Sequence, residues 1–451
     1  MKLFNTLTRS LDDFTPTDPQ NVKIYTCGPT VYSNAHIGNF TAYIYWDLLI
    51  RTIRLNGWQE NRILNITDVG HLTSDSDQGE DKLEKSARHE SKTVWEIAAH
   101  YADDFLEQFR ALNLIEPTKI AFATKYIPAD IALIDTLTAK GYTYKISDGI
   151  YFDTSKFPTY ADFAHLDLKN LKAGARVEFD PEKRNPSDFA LWKFIKPGEN
   201  HAMQWEYLDR PGYPGWHIEC SAIIHETLGE PVDIHTGGID HIPVHHTNEI
   251  AQSQAAYQKP LARFWLHNNF ITIDGQKISK SLGNTYTFDD LKSHNFTHLD
   301  YRIWVLQGHF QTERNFSFSD LSAAHQRLAN YRNFAALRHQ KTATNTEEIR
   351  SQILTALNNN LNSALALSIL DKNLDHAIPS ADFIQFLDDV FGLQLLSTTP
   401  DISQDQKDII ATRDQAKSQK DYQTADAIRA QLEEQGITLL DTPDATIWQL
   451  A

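Results

Sequence analysis

A motif near the start of the chain carries residue types that bind phosphate. It reads Cys27-Gly-Pro-Thr-Val-Tyr-Ser-Asn-Ala-His36-Ile-Gly-Asn39 and joins a strand-like run to a helix-like run. The free N–H groups and the dipole at the start of a helix favour an anion. His36 and Asn39 can then donate hydrogen bonds to a phosphate whose charge grows in a transition state. An ordinary strand-to-helix turn with a surface histidine is the alternative interpretation.

A second motif is a loop rich in lysine, serine and glycine. It reads Gly275-Gln-Lys277-Ile-Ser-Lys280-Ser281-Leu-Gly283-Asn284 and places two lysines three residues apart. Such a cationic loop can close over a polyphosphate. A solvated surface loop is the alternative that this composition also allows.

The elements around the first motif predict how it is positioned. Val22–Cys27 is a strand-like run that stops at Gly28-Pro29, a pair that favours a turn. From Asn39 onward the apolar residues recur at helical spacing, and Arg62–Ile66 reads as the next strand. This order is the βαβ unit of a doubly wound parallel sheet, whose ligands bind at the carboxyl ends of the strands. We therefore predict an α/β fold with Cys27 at the ligand-binding edge.

The rest of the chain predicts further elements. A turn-rich insertion from Pro117 to about Met203 precedes a second α/β segment, and the pattern becomes helical beyond about Ser319. The predicted elements after the insertion are a helix at His217–Leu228, strands at Val232–His235 and Phe270–Ile273, helices from about His245 to Tyr257 and at Gln415–Gln435, and a strand at Ile437–Leu440.

Composition excludes several classes of protein. The chain has 451 residues, of which 41% are hydrophobic and 22% charged, and a net charge of −17. These values are not those of collagen, a coiled coil or a wholly disordered chain. The only two cysteines, Cys27 and Cys220, form no disulfide framework and indicate a reducing compartment. No signal peptide or apolar membrane span is predicted, and the acidic balance by itself argues against a nucleic-acid partner.

The two motifs together outweigh the charge argument, because His36-Ile-Gly-Asn39 followed by Lys277-Ile-Ser-Lys280-Ser281 resembles the class I aminoacyl-tRNA synthetases. Within that class, further segments along nearly the whole chain are similar to the cysteinyl-tRNA synthetase family: Cys27–Tyr32, Asp188–Lys193, Gly215–Ser221, Asn248–Ser253, Thr424–Arg429 and Gln435–Ile437. Asn39 stands where many class I enzymes have a second histidine, and Ile278 stands in place of the usual methionine.

The resemblance implies roles for named residues. The implied catalytic residues are His36, Asn39, Lys277 and Lys280. The residues implied to contact ATP are Gly38, Gly237, Gly238, Asp240 and Lys280, and those implied to line the cysteine pocket are Gly28, Thr67 and Trp216. Asp240 can accept either from the nucleotide or from the substrate ammonium, and ordinary core packing is the alternative for Trp216.

A zinc ion follows from the same resemblance together with residue chemistry. His245 and Glu249 are four residues apart on a predicted helix and share one face. With Cys27 and Cys220 they offer two thiolates, an imidazole and a carboxylate, which suit one Zn²⁺. Six histidines lie between residues 217 and 246, and the sequence leaves open whether His241 or His246 joins the shell. Two unrelated buried thiols and a surface histidine are the alternative.

The implied function is ATP-dependent activation of L-cysteine to cysteinyl-AMP and transfer to the 3′ end of tRNA(Cys), with Mg²⁺ accompanying ATP. A cytoplasmic protein with no membrane partner is expected, and a monomer is the default. Two alternatives are a ligase that joins cysteine to a small amine and a non-catalytic RNA-binding paralogue. A zinc hydrolase is disfavoured because four protein ligands leave no position for water.

The implied architecture is a class I synthetase Rossmann-type sheet with a connective insertion, a helical bundle and a small C-terminal α+β module. The segment Val69–Glu80 is read either as a lid or as a surface loop. The predicted domains are the first catalytic half (1–116), the insertion (117–205), the second catalytic half (206–270), the lysine-loop and stem-contact region (271–325), the helical tRNA-binding bundle (326–400) and the anticodon-reading module (401–451).

Overall fold

The chain divides into two units. The computed structural model describes residues 1–70, 82–167, 181–196, 198–199, 201–215, 217–279, 282–442 and 445–450. The first unit comprises Met1–His294 with Phe310–Asn315, and the second comprises Asn295–His309 with Phe316–Ala451. Within the described residues, the helices are all too short or too polar to cross a membrane. Most of the segment Val69–Glu80 lies outside the described residues.

Strands occur mainly in the first unit, and the second unit ends in an antiparallel pair of strands. The strands are β1 (Lys2–Asn5), β2 (Ser10–Asp13), β3 (Val22–Thr26), β4 (Glu60–Ile66), β5 (Lys119–Phe122), β6 (Thr143–Ile146), β7 (Gly149–Phe152), β8 (Phe189–Phe194), β9 (Trp205–Tyr207), β10 (Arg210–Pro214), β11 (Val232–Gly238), β12 (Ala262–Asn268), β13 (Ile271–Ile273), β14 (Gln276–Lys277), β15 (Arg314–Phe316), β16 (Ile437–Asp441) and β17 (Thr446–Leu450).

Helices occur in both units and dominate the second. The α-helices are α1 (Ile37–Leu55), α2 (Lys82–Glu90), α3 (Val94–Ala111), α4 (Ile127–Ala139), α5 (Ile218–Thr227), α6 (Thr247–Tyr257), α7 (Phe288–Ser293), α8 (His298–Leu306), α9 (Phe318–Ala336), α10 (Glu347–Asn358), α11 (Ser363–Asn373), α12 (Ala381–Phe391), α13 (Leu395–Thr398), α14 (Gln404–Ser418) and α15 (Tyr422–Glu434).

A parallel sheet in the order β12-β11-β3-β4-β5 forms the centre of the first unit. Four of its strands, all but the edge strand β5, are mostly buried runs, as expected for a parallel sheet that is covered on both faces. Ile24 of β3 pairs with Ile234 of β11, and both are fully buried. The helix α1 connects β3 to β4 and buries Trp46 and Leu49. The predicted βαβ unit and doubly wound parallel sheet are confirmed.

The strands β3 and β11 lie side by side, and the chain leaves them toward opposite edges of the sheet. A crevice opens outside the carboxyl ends of two such strands, where ligands bind in sheets of this kind. Because β3 ends at Thr26 and β11 at Gly238, Cys27 and the loop after Gly238 face this crevice.

An antiparallel sheet in the order β6-β7-β8-β10-β9 occupies most of the segment predicted as an insertion. The helix α4 packs on α5 and α6, so that Leu133, Ala222 and Ala251 share one buried cluster. The segment therefore packs against α5 and α6, the two helices that carry the predicted metal ligands Cys220 and Glu249. β5 pairs with β4 in the central sheet, and the domain boundaries stay predictions.

The helix predicted from about His245 begins in an unexpected way. Ile242–His246 form a π-helical turn, and α6 itself starts at Thr247. Pro243 stands near the start of this turn, where its missing N–H costs no helical hydrogen bond. Single π-turns occur frequently at functional sites.

The helical pattern predicted for the last part of the chain is present in the second unit, but the single helix predicted at Gln415–Gln435 is wrong. α14 ends at Ser418 and α15 begins at Tyr422. Asp421 explains the break, because its carboxylate caps α15 by accepting from the Thr424 N–H at 3.2 Å. The strand predicted at Ile437–Leu440 is confirmed as β16, which pairs antiparallel with β17.

Candidate active site and metal centre

A cavity of about 680 Å³ opens at the carboxyl ends of β3 and β11. Both phosphate-type motifs and the loop after β11 line it. Predicted site residues that line the cavity are Cys27, Gly28, His36, Gly38, Asn39, Gly237, Gly238, Asp240 and Lys277. Lys280 lies outside the described residues.

The four predicted metal ligands meet beside this cavity. One donor atom from each of Cys27, Cys220, His245 and Glu249 lies within 4.8 Å of the other three. Cys27 follows β3, Cys220 lies on α5, His245 in the π-turn and Glu249 on α6. Two sulfurs, a nitrogen and an oxygen at such distances are a donor set that Zn²⁺ accepts.

The two carboxylate oxygens of Glu249 have different surroundings, although the side chain is fully buried. Oε2 lies 2.6 Å from Nε2 of His235, which donates a hydrogen bond to it. Oε1 lies 2.7 Å from Nε2 of His245, but it makes no hydrogen bond of acceptable geometry within the described residues. Buried charges are normally paired or bound to a metal. The Oε1 side of this carboxylate therefore fits a cation.

Burial and neighbouring groups shift the pKa values of the cluster. Burial raises the pKa of the Cys27 thiol, whereas the hydrogen bond from Cys27 lowers the pKa of Cys220. Burial lowers the pKa of His245, but the charge of Glu249 together with the hydrogen bonds and charge of Cys220 and Glu249 leaves that pKa well above its usual value. Burial likewise opposes ionisation of Glu249, but His235 and His245 hold its pKa below its usual range. The ionised carboxylate of Glu249 and the lowered pKa of the Cys220 thiol favour a bound cation.

A second donor set overlaps the first. Donor atoms of Cys27, His235, His246 and Glu249 also lie within 4.8 Å of one another. In this set, however, His235 already donates to Glu249 Oε2, and Nδ1 of His246 lies 2.7 Å from Nε2 of His267. The remaining nitrogen of His246, Nε2, lies 3.4 Å from Cys27 Sγ, a distance typical of a hydrogen bond to sulfur.

His241 lies in the turn after β11 and faces the same cluster. Its ring centroid is 5.0 Å from that of His245. Burial, followed by the neighbouring charge of His245, lowers the pKa of His241 to about 4. His241 is therefore a neutral neighbour of the donor sets and a member of neither.

The first phosphate motif places two polar side chains at the start of α1. His36 is the residue before the helix, and its backbone N–H donates to Oδ1 of Asn39 at 3.0 Å. Because the cap uses the amide oxygen of Asn39, the NH₂ group is the part that remains for a ligand. His36 and Asn39 both line the cavity.

The lysine loop lies against the start of α1. A Cβ atom at Gly38 would come 2.6 Å from Cδ1 of Ile278, so the loop packs directly on the glycine backbone. Within the loop, Asn284 accepts from the Ser279 N–H at 2.8 Å and donates to the Lys277 carbonyl at 3.1 Å. The two motifs thus form adjacent walls of one cavity.

Two residues predicted for the cysteine pocket are tied together by Asn65. A Cβ atom at Gly28 would lie 1.5 Å from the Asn65 carbonyl oxygen, so the backbone approach requires glycine. The Gly28 N–H donates to Asn65 Oδ1 at 2.8 Å, and Asn65 Nδ2 donates to Thr67 Oγ1 at 3.0 Å. Trp216, the third predicted residue, lies outside the described residues.

The loop after β11 supplies the opposite wall of the cavity. Gly237 and Gly238 end the strand, and Asp240 lies in the following 3₁₀ turn. Oδ1 of Asp240 would be 2.3 Å from a Cβ atom at Gly238, so the carboxylate folds back over the glycine. A ligand in the cavity therefore meets bare backbone and a carboxylate together.

Several residues of the site received no such role from sequence reasoning. His235 holds Glu249, Asn65 orients Gly28 and Thr67, and Nδ1 of His217 lies 2.6 Å from Nδ1 of His245. Partners of this kind orient metal ligands. The density of histidines between residues 217 and 246 was the available signal, but spacing does not reveal which rings meet.

Comparisons with known proteins show what the chain is similar to. Residues 13–326 match the family model described as the catalytic domain of class I tRNA synthetases (C). The chain is 39% identical to a cysteine–tRNA ligase of Treponema denticola, over 100% of this chain and 99% of the relative. It is 39% identical to cysteine–tRNA ligase 1 of Burkholderia lata, over 98% of this chain and 96% of the relative.

A solved structure shares the fold. The methionyl-tRNA synthetase of Mycobacterium tuberculosis in complex with methionyl-adenylate superposes with a TM-score of 0.57 at 14% identity. The match covers 84% of this chain and 89% of that one. At this identity the likeness concerns the fold alone.

Proposed function

The chain belongs to the cysteinyl-tRNA synthetase family of class I synthetases, and on that premise we propose that it is a cysteine–tRNA ligase. It activates L-cysteine with ATP to form cysteinyl-AMP and then transfers the cysteinyl group to the 3′ end of tRNA(Cys). The observation that carries this proposal is the position of Cys27, which belongs to the donor cluster and also lines the cavity with His36 and Lys277. A sulfur-selective centre and a phosphate site are thereby adjacent.

We propose Cys27, Cys220, His245 and Glu249 as the ligands of one Zn²⁺ per chain. Among the described residues, His235 already donates to Oε2 of Glu249, whereas Oε1 faces His245 and makes no hydrogen bond of acceptable geometry, and this favours the set with His245 over the one containing His235 and His246. Zinc bound there would supply a partner for the substrate thiolate that a hydroxyl cannot match. Because a packed pocket separates near-isosteres by only about 100-fold, the ligands give discrimination against serine that packing does not.

Activation joins a carboxylate oxygen of cysteine to the α-phosphorus of ATP and breaks the bond to the leaving pyrophosphate. His36 and the NH₂ group of Asn39 donate hydrogen bonds to the reacting phosphate, whose charge grows in the transition state. Lys277 and Lys280 balance the charge of the triphosphate, which Mg²⁺ accompanies. Positioning and electrostatics carry this step, so it needs no covalent nucleophile.

The remaining predicted site residues shape the two subsites. The backbone at Gly38, Gly237 and Gly238 lets the nucleotide approach closely, and Asp240 accepts from the nucleotide or from the substrate ammonium. Gly28, Thr67 and Trp216 line the cysteine pocket. Asn65 belongs with them because it fixes both Gly28 and Thr67 by hydrogen bonds.

The whole chain has proposed tasks beyond activation. Residues 326–400 hold tRNA along a helical bundle, and residues 401–451 read the anticodon. Residues 117–205 form the connective insertion between the catalytic halves, 1–116 and 206–270, and residues 271–325 contact the tRNA stem. The protein acts as a cytoplasmic monomer with no membrane partner.

Cysteine-dependent exchange of pyrophosphate into ATP tests the activation step. The zinc-loaded chain is expected to catalyse exchange with cysteine and not with serine. Cys220→Ala and Glu249→Ala should each release zinc and lower exchange at least about 100-fold. His225→Ala is the control, because His225 lies on α5 but stacks on Tyr257 away from the cluster. Full zinc content in both ligand variants would show that the ligand set is wrong.

A further inference from the structure

A chain of short contacts leads away from Cys27 through two buried histidines. Cys27 Sγ lies 3.4 Å from Nε2 of His246, and Nδ1 of His246 lies 2.7 Å from Nε2 of His267. Nδ1 of His267 lies 2.7 Å from the hydroxyl oxygen of Thr6. His246 is 0% exposed and His267 is 5% exposed, so the direction of the hydrogen bonds is set by the protein and not by solvent.

The chemistry of the two ends fixes that direction. A metal-bound cysteine is a thiolate and only accepts hydrogen bonds. A neutral imidazole carries one N–H, so a ring that donates through Nε2 must accept at Nδ1. His246 then donates to Cys27 and accepts from His267, and His267 must in turn accept at Nδ1. Thr6 supplies the donor there, because a hydroxyl hydrogen can rotate toward whichever neighbour needs it.

We propose that Thr6 is a positioning residue for the metal site, and that its hydroxyl holds both histidines in the tautomer that donates a hydrogen bond to the Cys27 thiolate. This inference rests on the proposed zinc ligation. It also gives His246 the role of a donor to a ligand instead of a ligand.

The fold holds Thr6 in place for this task. Thr6 follows β1, and its backbone N–H donates to the Trp265 carbonyl on β12 at 2.9 Å, two residues before His267. The Thr6 hydroxyl is thus fixed to β12, the strand that carries His267. Without that hydroxyl, nothing in the described contacts of His267 keeps its Nδ1 an acceptor. If the ring reverses its tautomer, His246 is forced to present a lone pair to the thiolate.

Thr6→Val tests the proposal, because it keeps the shape and removes the hydroxyl. Zinc affinity of the full-length chain, measured by competition with a chelator, is expected to fall about 10-fold, the lower end of what partners of metal ligands contribute. Thr6→Ser should restore wild-type affinity. Thr8→Val is the matched control, since the Thr8 hydroxyl in the same hairpin donates to the exposed Asp12. Unchanged affinity in folded Thr6→Val protein would overturn the proposal.

A measurement on the wild-type chain does not depend on the variant folding. In the zinc-loaded protein, long-range ¹H–¹⁵N spectra are expected to show hydrogen on Nε2 of both His246 and His267. Hydrogen on Nδ1 of either ring would contradict the relay. Loss of zinc in Cys220→Ala separates the two ideas: if that variant keeps its zinc, the ligand set fails, whereas wild-type affinity in Thr6→Val refutes only the role of Thr6.

Discussion

The side-chain amide of Asn39 serves the fold through its oxygen and the proposed chemistry through its NH₂ group. Its oxygen accepts the N–H of His36 in the capping box of α1, so its NH₂ group remains for a ligand in the cavity that Asn39 lines. A histidine at this position would present a ring nitrogen to the phosphate, and the asparagine amide presents an equivalent donor. A substitution that keeps the acceptor oxygen and removes the NH₂ donor can therefore test the two roles separately.

Asn39→Asp should separate them, because a carboxylate keeps the cap acceptor and removes the donor. We expect pyrophosphate exchange to fall by about 10²–10³-fold, as on removal of one transition-state donor, with thermal stability unchanged. Asn39→Ala should lose the activity and also about 0.5–1.5 kcal/mol of stability with the hydrogen bond to the His36 N–H. Near wild-type exchange in Asn39→Asp would show that the donor plays no part in activation.

Asp130 is a buried acid with a cost to stability. It lies on α4, is 0% exposed, and neither carboxylate oxygen has a hydrogen-bond partner among the described residues. Burial, followed by the charge of Glu219, raises its pKa well above the usual value of 3.8. The folded chain therefore binds more protons than the unfolded chain, so stability falls as pH rises from 3.8 toward the folded pKa.

Asp130→Asn should remove this pH dependence. At pH 8 the variant is expected to be more stable than wild type, with a gain that grows by about 1.4 kcal/mol for each pH unit between the unfolded and the folded pKa of Asp130, and the gain should vanish below the unfolded pKa. Urea denaturation across pH measures it, with Asp103→Asn on the exposed face of α3 as control. A variant less stable than wild type at pH 8 would contradict the assignment.

At the residue scale, the sequence predicted the candidate metal ligands but not the residues that contact them. Cys27, Cys220, His245 and Glu249 were predicted from the family resemblance together with thiol, imidazole and carboxylate chemistry, and their donor atoms do meet. His267 and Thr6 were not foreseen, because β12 reaches the site by pairing with β11 and Thr6 reaches it through a backbone hydrogen bond to Trp265 on β12. No spacing rule links residues 6, 246 and 267.

At the scale of elements, periodicity predicted which segments are strands and helices, but not their ends. The βαβ unit follows from two strand-like runs, the helical spacing of apolar residues between them and a Gly-Pro turn. The π-turn before α6 was not predicted, since its apolar and polar residues also suit an α-helix. The break between α14 and α15 was missed because Asp421 looked like one more charged helical residue and is instead a cap.

The lysine loop contains a bridging residue that can be tested at this scale. Asn284 spans the loop by bonding to the backbone of Ser279 and Lys277, and so ties the end of the loop to the backbone at Lys277. Asn284→Ala is expected to raise the KM for ATP about 10-fold, the loss of about 1.4 kcal/mol, with the KM for cysteine unchanged.

Asn345→Ala is the control for that variant, because Asn345 also bonds a backbone N–H through its side chain, but in the second unit. It should leave both KM values at wild type. An unchanged ATP KM in Asn284→Ala would mean that the bridge does not position the loop for the nucleotide.

At the scale of the whole molecule, net charge was the weakest guide. The chain carries −17, and residues 401–451 alone hold five basic against ten acidic residues. Net charge limits non-specific adhesion to polyanions, whereas a tRNA can be recognised through local basic patches and unstacked bases. Two motifs more than 200 residues apart predicted the tRNA partner instead, through their resemblance to a family. The fold brings both motifs to one cavity.

Aminoacylation tests the central claim most directly. Zinc-loaded protein is incubated with ATP, Mg²⁺, radiolabelled cysteine and tRNA that bears a cysteine anticodon. We expect cysteine to become esterified to the tRNA 3′ end, with no charging by serine and none in Glu249→Ala. If the tRNA stays uncharged while a small amine accepts cysteine, or while serine is charged equally well, the account of a zinc-selected cysteine–tRNA ligase is contradicted.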